Sequence, residues 1–204
     1  VTYQRALKSV AVIAVALGLA GCISLFPKAK PTQMYRFGVS DTPSTAVATG
    51  VAIARTPTAF TRPAAGDRIL TSNGQETAYI AEARWIAPAA LMFDDAVERT
   101  FESRATGPRY ITRGDLPAAD LALRLDVGTF EARYLEGPDA APTIVVSMRA
   151  TLVRTRDRAI LGEKIFSSSQ RAADNRVGPI AAAFDVAVKQ SLTAMADWTS
   201  ATAG

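Results

Sequence analysis

Asp120-Leu-Ala-Leu-Arg-Leu-Asp-Val-Gly-Thr-Phe-Glu-Ala-Arg-Tyr134 is the stretch on which the fold turns. Leu121, Leu123, Leu125 and Val127 fall on every second residue, the period of a strand with one face in a core. The alternation slips at Gly128. An unbroken strand would send Phe130 to the opposite face, so a bulge is expected there. Pro142 to Arg154 repeats the pattern, with Ile144, Val146, Met148, Ala150 and Leu152 on one side. The charged turn Arg154-Thr-Arg-Asp-Arg158 returns the chain into Ala159–Phe166 as a hairpin, and Ser167–Arg171 reads as polar loop.

Upstream, Gln33-Met-Tyr-Arg-Phe-Gly-Val39 alternates and predicts a first strand, Ser40 to Thr49 a loop, and Gly50–Arg55 a second strand. Asn73-Gly74 between the apolar runs Arg68–Thr71 and Glu76–Glu82 predicts a hairpin with positive φ at both turn positions. Pro88 suits a helix start, and Phe93, Val97 and Phe101 recur at spacings of four, which makes an amphipathic helix of roughly 15 residues. Pro179 opens a last helix with the stripe Ile180, Phe184, Val188, Leu192, Met195 and Trp198, and residues 200–204 are expected to fray. Strands, helix, strands, helix is the grouping of an α+β fold: a largely antiparallel sheet with two amphipathic helices packed on one face.

The N-terminus carries a separate message. Arg5 and Lys8 precede the uncharged run Val10–Leu19, which closes on Leu19-Ala20-Gly21-Cys22. A positive start, an apolar run of about 7–15 residues and small residues before a cut are the parts of a secretory signal. A membrane span needs about 20 apolar residues, and Ser24 and Pro27-Lys28 interrupt this one too soon. Leu-Ala-Gly-Cys resembles the bacterial lipobox, in which the Cys thiol takes a diacylglycerol and becomes the new N-terminus. Cleavage is therefore expected between Gly21 and Cys22, with a covalent acyl anchor on Cys22 and no other cofactor. The expected organisation is a signal over 1–21, a lipidated tether over 22–32, a domain over 33–199 and a tail over 200–204.

Composition narrows the chemistry. The 204 residues hold 23 Lys and Arg against 19 Asp and Glu, and Arg5 and Lys8 account for half of the net charge of +4. So balanced a mature chain does not suggest nucleic-acid binding. The absence of His removes Ser-His-Asp catalysis and histidine metal sites. Cys22 is the only cysteine, so acylation leaves no thiol for a disulfide, a zinc cluster or a nucleophile. No phosphate-binding glycine motif, G-x-S-x-G elbow or S-x-x-K is present. Asp94, Asp95 and Glu98 lie on the polar side of a helix beside Arg99 and do not read as an acid–base pair. No catalytic or metal residue is expected.

Several stretches together resemble the ABC-type transport auxiliary lipoproteins, partners of MCE-domain lipid transporters. They are Leu19-Ala-Gly-Cys22 followed by Met34-Tyr-Arg-Phe37, then Tyr79 with Arg84-Trp85 before a helix. Ala119-Asp120-Leu121 through Thr129-Phe130-Glu131, the strand ending Ile165-Phe166 and a closing helix with Trp198 complete the set. The resemblance implies a non-enzymatic lipoprotein on the periplasmic face of the outer membrane, acting with an MCE-domain periplasmic protein of an ABC transporter in traffic of lipids or other hydrophobic molecules. A homo-oligomer is part of that expectation. The inner-membrane retention signal resembles an Asp where Ile23 stands, so the anchor is expected in the outer membrane. Two other readings stay open, an accessory lipoprotein of outer-membrane assembly or secretion, and a carrier enclosing one lipid.

Candidates for partner contact are Arg84 and Trp85, since Arg and Trp are common interface anchors, with Tyr110 and Tyr134 near strand ends. Trp85, just before a helix, equally suits the core. The basic turn of Arg154, Arg156 and Arg158 could meet lipid headgroups, although a charged hairpin tip is usually solvated.

Overall fold

The computed structural model describes residues 31–39, 50–104, 107–111 and 119–204. Gly21, Cys22 and the loop expected from Ser40 to Thr49 lie outside them. The long alternating stretches become the spine of the sheet: β7 (Leu121–Arg133), β8 (Thr143–Arg154) and β9 (Ile160–Arg171), joined as antiparallel neighbours. Leu123, Val127, Ile144, Val146, Ala150 and Leu152 are fully buried on the shared face. The bulge lies where the slip predicts it. The β7–β8 register shifts between Val127 and Thr129, which returns Phe130 and Ala132 to the buried face.

The other edge of β7 is divided among three short parallel strands. β2 (Ala52–Arg55) meets it at Leu121, β3 (Ala59–Phe60) at Asp126, and β4 (Arg68–Asn73) at Ala132. β4 pairs antiparallel with β5 (Glu76–Trp85), β5 takes β1 (Gln33–Tyr35) in parallel, and β6 (Arg109–Ile111) lies parallel to β2. Among the described residues this gives one mixed sheet of nine strands, with long antiparallel ladders and short parallel pairings. α1 (Ala89–Glu102) and α2 (Val177–Ala203) cover the apolar face of β7 with Phe93 and Phe184. The fold is α+β, as the grouping of elements predicts.

Four local expectations are corrected. The first strand stops at Tyr35, because Phe37 turns into the core and Gly38, at φ +68°, passes so close to Ala96 that a Cβ would clash. Gly38 is held from both sides there, its N–H donating to Asp185 Oδ1 (2.7 Å) and its carbonyl accepting from Arg99 Nε (3.0 Å). In the β4–β5 hairpin Asn73 is still paired with Glu76. The turn residues are Gly74 and Gln75, and of these only Gly74, at +60°, has positive φ. A glycine in the first turn position is the II′ arrangement.

The serine run expected as loop is the second half of β9. Its outer residues face water on an edge strand, and Ser168 is satisfied by the Ala187 carbonyl and the Ser191 hydroxyl, both at 2.7 Å. Residues 200–203, expected to fray, continue α2. Thr202 Oγ1 donates to the Trp198 carbonyl (2.8 Å), and Trp198 packs on Phe166 over Gly162, where a Cβ would come within 3.0 Å of the indole.

Leu123 is at the centre of this core, wholly inaccessible to solvent. Leu123→Ala should cost about 2–5 kcal/mol in urea unfolding, and Leu123→Asp should abolish the cooperative transition. A soluble Leu123→Asp chain with a native transition would contradict this core.

Candidate functional site

The four residues expected to meet a partner do not come together. Trp85 closes β5 on the core side, 2% exposed, with its indole edge-on to Phe37 (5.1 Å) and Phe184 (5.2 Å). It is a packing residue, and its partner role is withdrawn. The frequency of Trp as an interface anchor carried the expectation, and the core takes the indole instead. Arg84, its neighbour, points to the opposite side of the sheet and holds both oxygens of Asp67 at 3.1 and 2.9 Å. The exposed side chains of Met34, paired with Arg84, and Ile86, next along on the same face, flank it. An exposed ion pair of this kind contributes little to stability.

Tyr110 is half-buried on β6 and stacks flat on Phe101 of α1, with ring centroids 4.9 Å apart. Around it Arg55 bridges Asp94 (3.2 Å) and Glu98 (3.3 Å), and the Thr58 N–H donates to Asp94 Oδ1 (3.3 Å). The acidic residues of α1 thereby serve as the clasp that closes the helix on β2. Burial raises the Tyr110 hydroxyl well above its usual range, with Arg55 opposing and Asp94 and Glu98 adding to the rise. Tyr134, just past β7, donates to Asn175 Oδ1 (2.8 Å) and borders a cleft of about 350 Å³ between the β4–β5 hairpin and Pro138. Burial raises its hydroxyl too.

Leu135, beside Tyr134 near a strand end, is exposed as its place in the sequence suggests, whereas the exposed aliphatic residues Ile160 and Ile165 have no such signal. Ile160 opens β9 after the charged turn, and a step out of the alternation would have revealed it. The basic turn is where the charge pattern puts it, with Arg154 on Asp157 at 3.1 Å. Among the described residues no group of three or more His, Cys, Asp or Glu is placed to hold a metal, and no helix is long and apolar enough to cross a membrane.

A family model described as ABC-type transport auxiliary lipoprotein component matches residues 40–196. No curated protein matches the chain. Among solved structures, protein XCC0632 from Xanthomonas campestris superposes with a TM-score of 0.70 at 24% identity, over 83% of this chain and 96% of that one. An uncharacterized protein gives 0.63 at 12% identity, over 83% and 99%. The hypothetical protein CT253 from Chlamydia trachomatis gives 0.50 at 12% identity, over 75% and 99%. At such identities the likeness is one of fold.

The raised Tyr110 hydroxyl sets an alkaline limit. A tyrosine of the unfolded chain ionises near pH 10, while the folded one keeps its proton. Stability is therefore full below about pH 10 and is lost as pH rises toward the folded value. Urea unfolding at about pH 11 should show a loss of about 1.4 kcal/mol from this residue. Tyr110→Phe should remove that part of the loss; an unchanged pH dependence would contradict the burial.

Proposed function

The chain belongs to the ABC-type transport auxiliary lipoprotein family, and from that premise we propose that it is a lipid-anchored accessory of an ABC/MCE-type transport system. In this reading residues 1–21 are removed, Cys22 carries the acyl chains, and 22–32 tether the domain of 33–199 to the periplasmic face of the outer membrane. The domain acts by binding an MCE-domain periplasmic protein, singly or as a homo-oligomer, in traffic of lipids or other hydrophobic molecules. Catalysis has no part in it.

The observation that carries the reading is the family match over residues 40–196, which spans most of the sheet, all of α1 and most of α2. Leu19-Ala-Gly-Cys22 supports the anchor, and Ile23, in the position where Asp would signal inner-membrane retention, supports the address. Each acyl chain would contribute about 0.8 kcal/mol per buried CH₂, and stable anchoring takes more than one chain. The engagement of Asp94 and Glu98 by Arg55 supports a structural role for carboxylates that would otherwise suggest acid–base work.

Affinity purification of the full-length protein from detergent-solubilised membranes tests this. An MCE-domain protein is expected to co-purify, and Cys22→Ala should move the chain out of the membrane fraction. Recovery of a secretin or a β-barrel assembly protein in its place would overturn the reading.

A further inference from the structure

β9 is an edge strand: among the described residues it pairs with β8 alone. One bond fixes which of its backbone groups are left over. The Ala172 N–H donates to the Pro142 carbonyl (2.9 Å), one step beyond the Thr143–Arg171 pair. Bonded and non-bonded pairs alternate along an antiparallel ladder. The register runs without a shift from Thr143–Arg171 to Leu152–Gly162, so the non-bonded pairs are those of Arg171, Ser169, Ser167, Ile165 and Glu163. The N–H and C=O groups of these residues therefore point away from β8, along the open side of the strand.

Such an edge is ordinarily blunted by charge, proline or a bulge. From Ile165 to Gln170 it has none of these, and Ile165 is 60% exposed. The one register shift of the β8–β9 ladder lies near its start, opposite Leu152 and Val153. α2 is tied over β9 by the bonds from Ser168 to Ala187 and Ser191. Its side toward α1 carries Lys189 and Thr193, in the cleft shared with Arg99 and Thr100. Its opposite side, above the open edge, shows Val186, Gln190 and Ala194, all exposed and uncharged.

The edge is its own complement. A two-fold axis through Ser167, with the β9 of a second copy antiparallel, matches every outward residue: Glu163 with Arg171, Ile165 with Ser169, and Ser167 with its equivalent. Each such pair exchanges two backbone hydrogen bonds. Opposite charges meet at both ends of the ladder, and on the other face Lys164 stands opposite Gln170. Arg171 is held by Glu136 through Nη1 and Nη2 (2.5 and 2.7 Å), which steadies it at the edge and leaves Nε for the second carboxylate. An axis at Lys164 would set two ammonium groups face to face, and one at Phe166 or Ser168 would leave outward groups unmatched. The axis through Ser167 also lays the two α2 helices antiparallel, side by side along Val186, Gln190 and Ala194.

We propose that two copies of the chain join through β9, antiparallel about Ser167, into one continuous sheet. The inference rests on the homo-oligomeric part of the proposed function, to which it gives an interface, and not on the transport partner. Ser167→Cys in the full-length protein tests it. Facing Cα atoms of a bonded pair lie about 5.5 Å apart, within disulfide reach. Oxidation of membranes carrying this variant should give about tenfold more disulfide-linked dimer than Gln75→Cys, at the exposed β4–β5 turn; both variants keep Cys22, so the comparison accounts for it. Differently tagged copies bearing Ile165→Cys and Ser169→Cys should link to each other and not to themselves. Ser167→Pro, whose missing N–H belongs to the open side, should keep the far-UV circular dichroism and lower the dimer seen by sedimentation about tenfold. Crosslinking of Ser167→Cys no greater than that of Gln75→Cys, with an MCE-domain protein still co-purified, would overturn the dimer and leave the accessory standing. The dimer without any MCE-domain protein would overturn the transport reading and support the interface. A mixed disulfide of Ser167→Cys with another protein, in place of the dimer, would overturn the second copy as occupant.

Discussion

Five aromatic rings meet Phe130: Phe184 at 4.9 Å, Phe37 at 5.2 Å, Phe60 at 5.3 Å, Trp85 at 6.3 Å and Phe93 at 6.4 Å between centroids. They come from the segment after β1, from β3, from β5 and from both helices, so nearly every layer of the domain is fastened at this one side chain. Pairs of this kind contribute about 0.5–1.5 kcal/mol each beyond the area they bury. Phe130 can take part only because β7 gains a residue between Val127 and Thr129. Without that step the period of two would turn it to solvent and leave the helices with no ring to close on. A Cβ at Gly128 meets nothing within 4 Å, so the extra residue matters and the absence of a side chain does not.

This arrangement explains how far the fold is legible in the residues. Where one face of a strand or helix must be apolar, the period shows it, as in β7, β8, α1 and α2, and the slip at Gly128 is a local signal of a global constraint. The period is silent where the outer face may be anything. The serines of β9 look like loop because an edge strand needs no apolar outer residues, and the partners of Ser168, Ala187 and Ser191, lie on the helix that follows and not within the strand itself. β1 looks longer than it is because Phe37 is apolar for the core and not for the strand. The three short parallel contacts along β7 have no local signature at all, since each depends on where a distant crossover lands.

The candidate site was less legible than the fold, for a related reason. Aromatic and arginine side chains favour cores and interfaces alike, so Trp85 by its type and Tyr110 by its place near a strand end suggest partner contact, yet both are engaged internally. Arg84 and Tyr134 are accessible but stand apart.

The central claim is that a single added residue in β7 organises the whole core, and deletion of Gly128 tests it most directly. Urea unfolding of the deletion variant, followed by near-UV circular dichroism of the aromatic cluster, should show no cooperative transition and no fixed aromatic signal. Gly128→Ala, which keeps the residue count, should unfold close to wild type. A deletion variant that unfolds cooperatively at the wild-type midpoint would contradict the account.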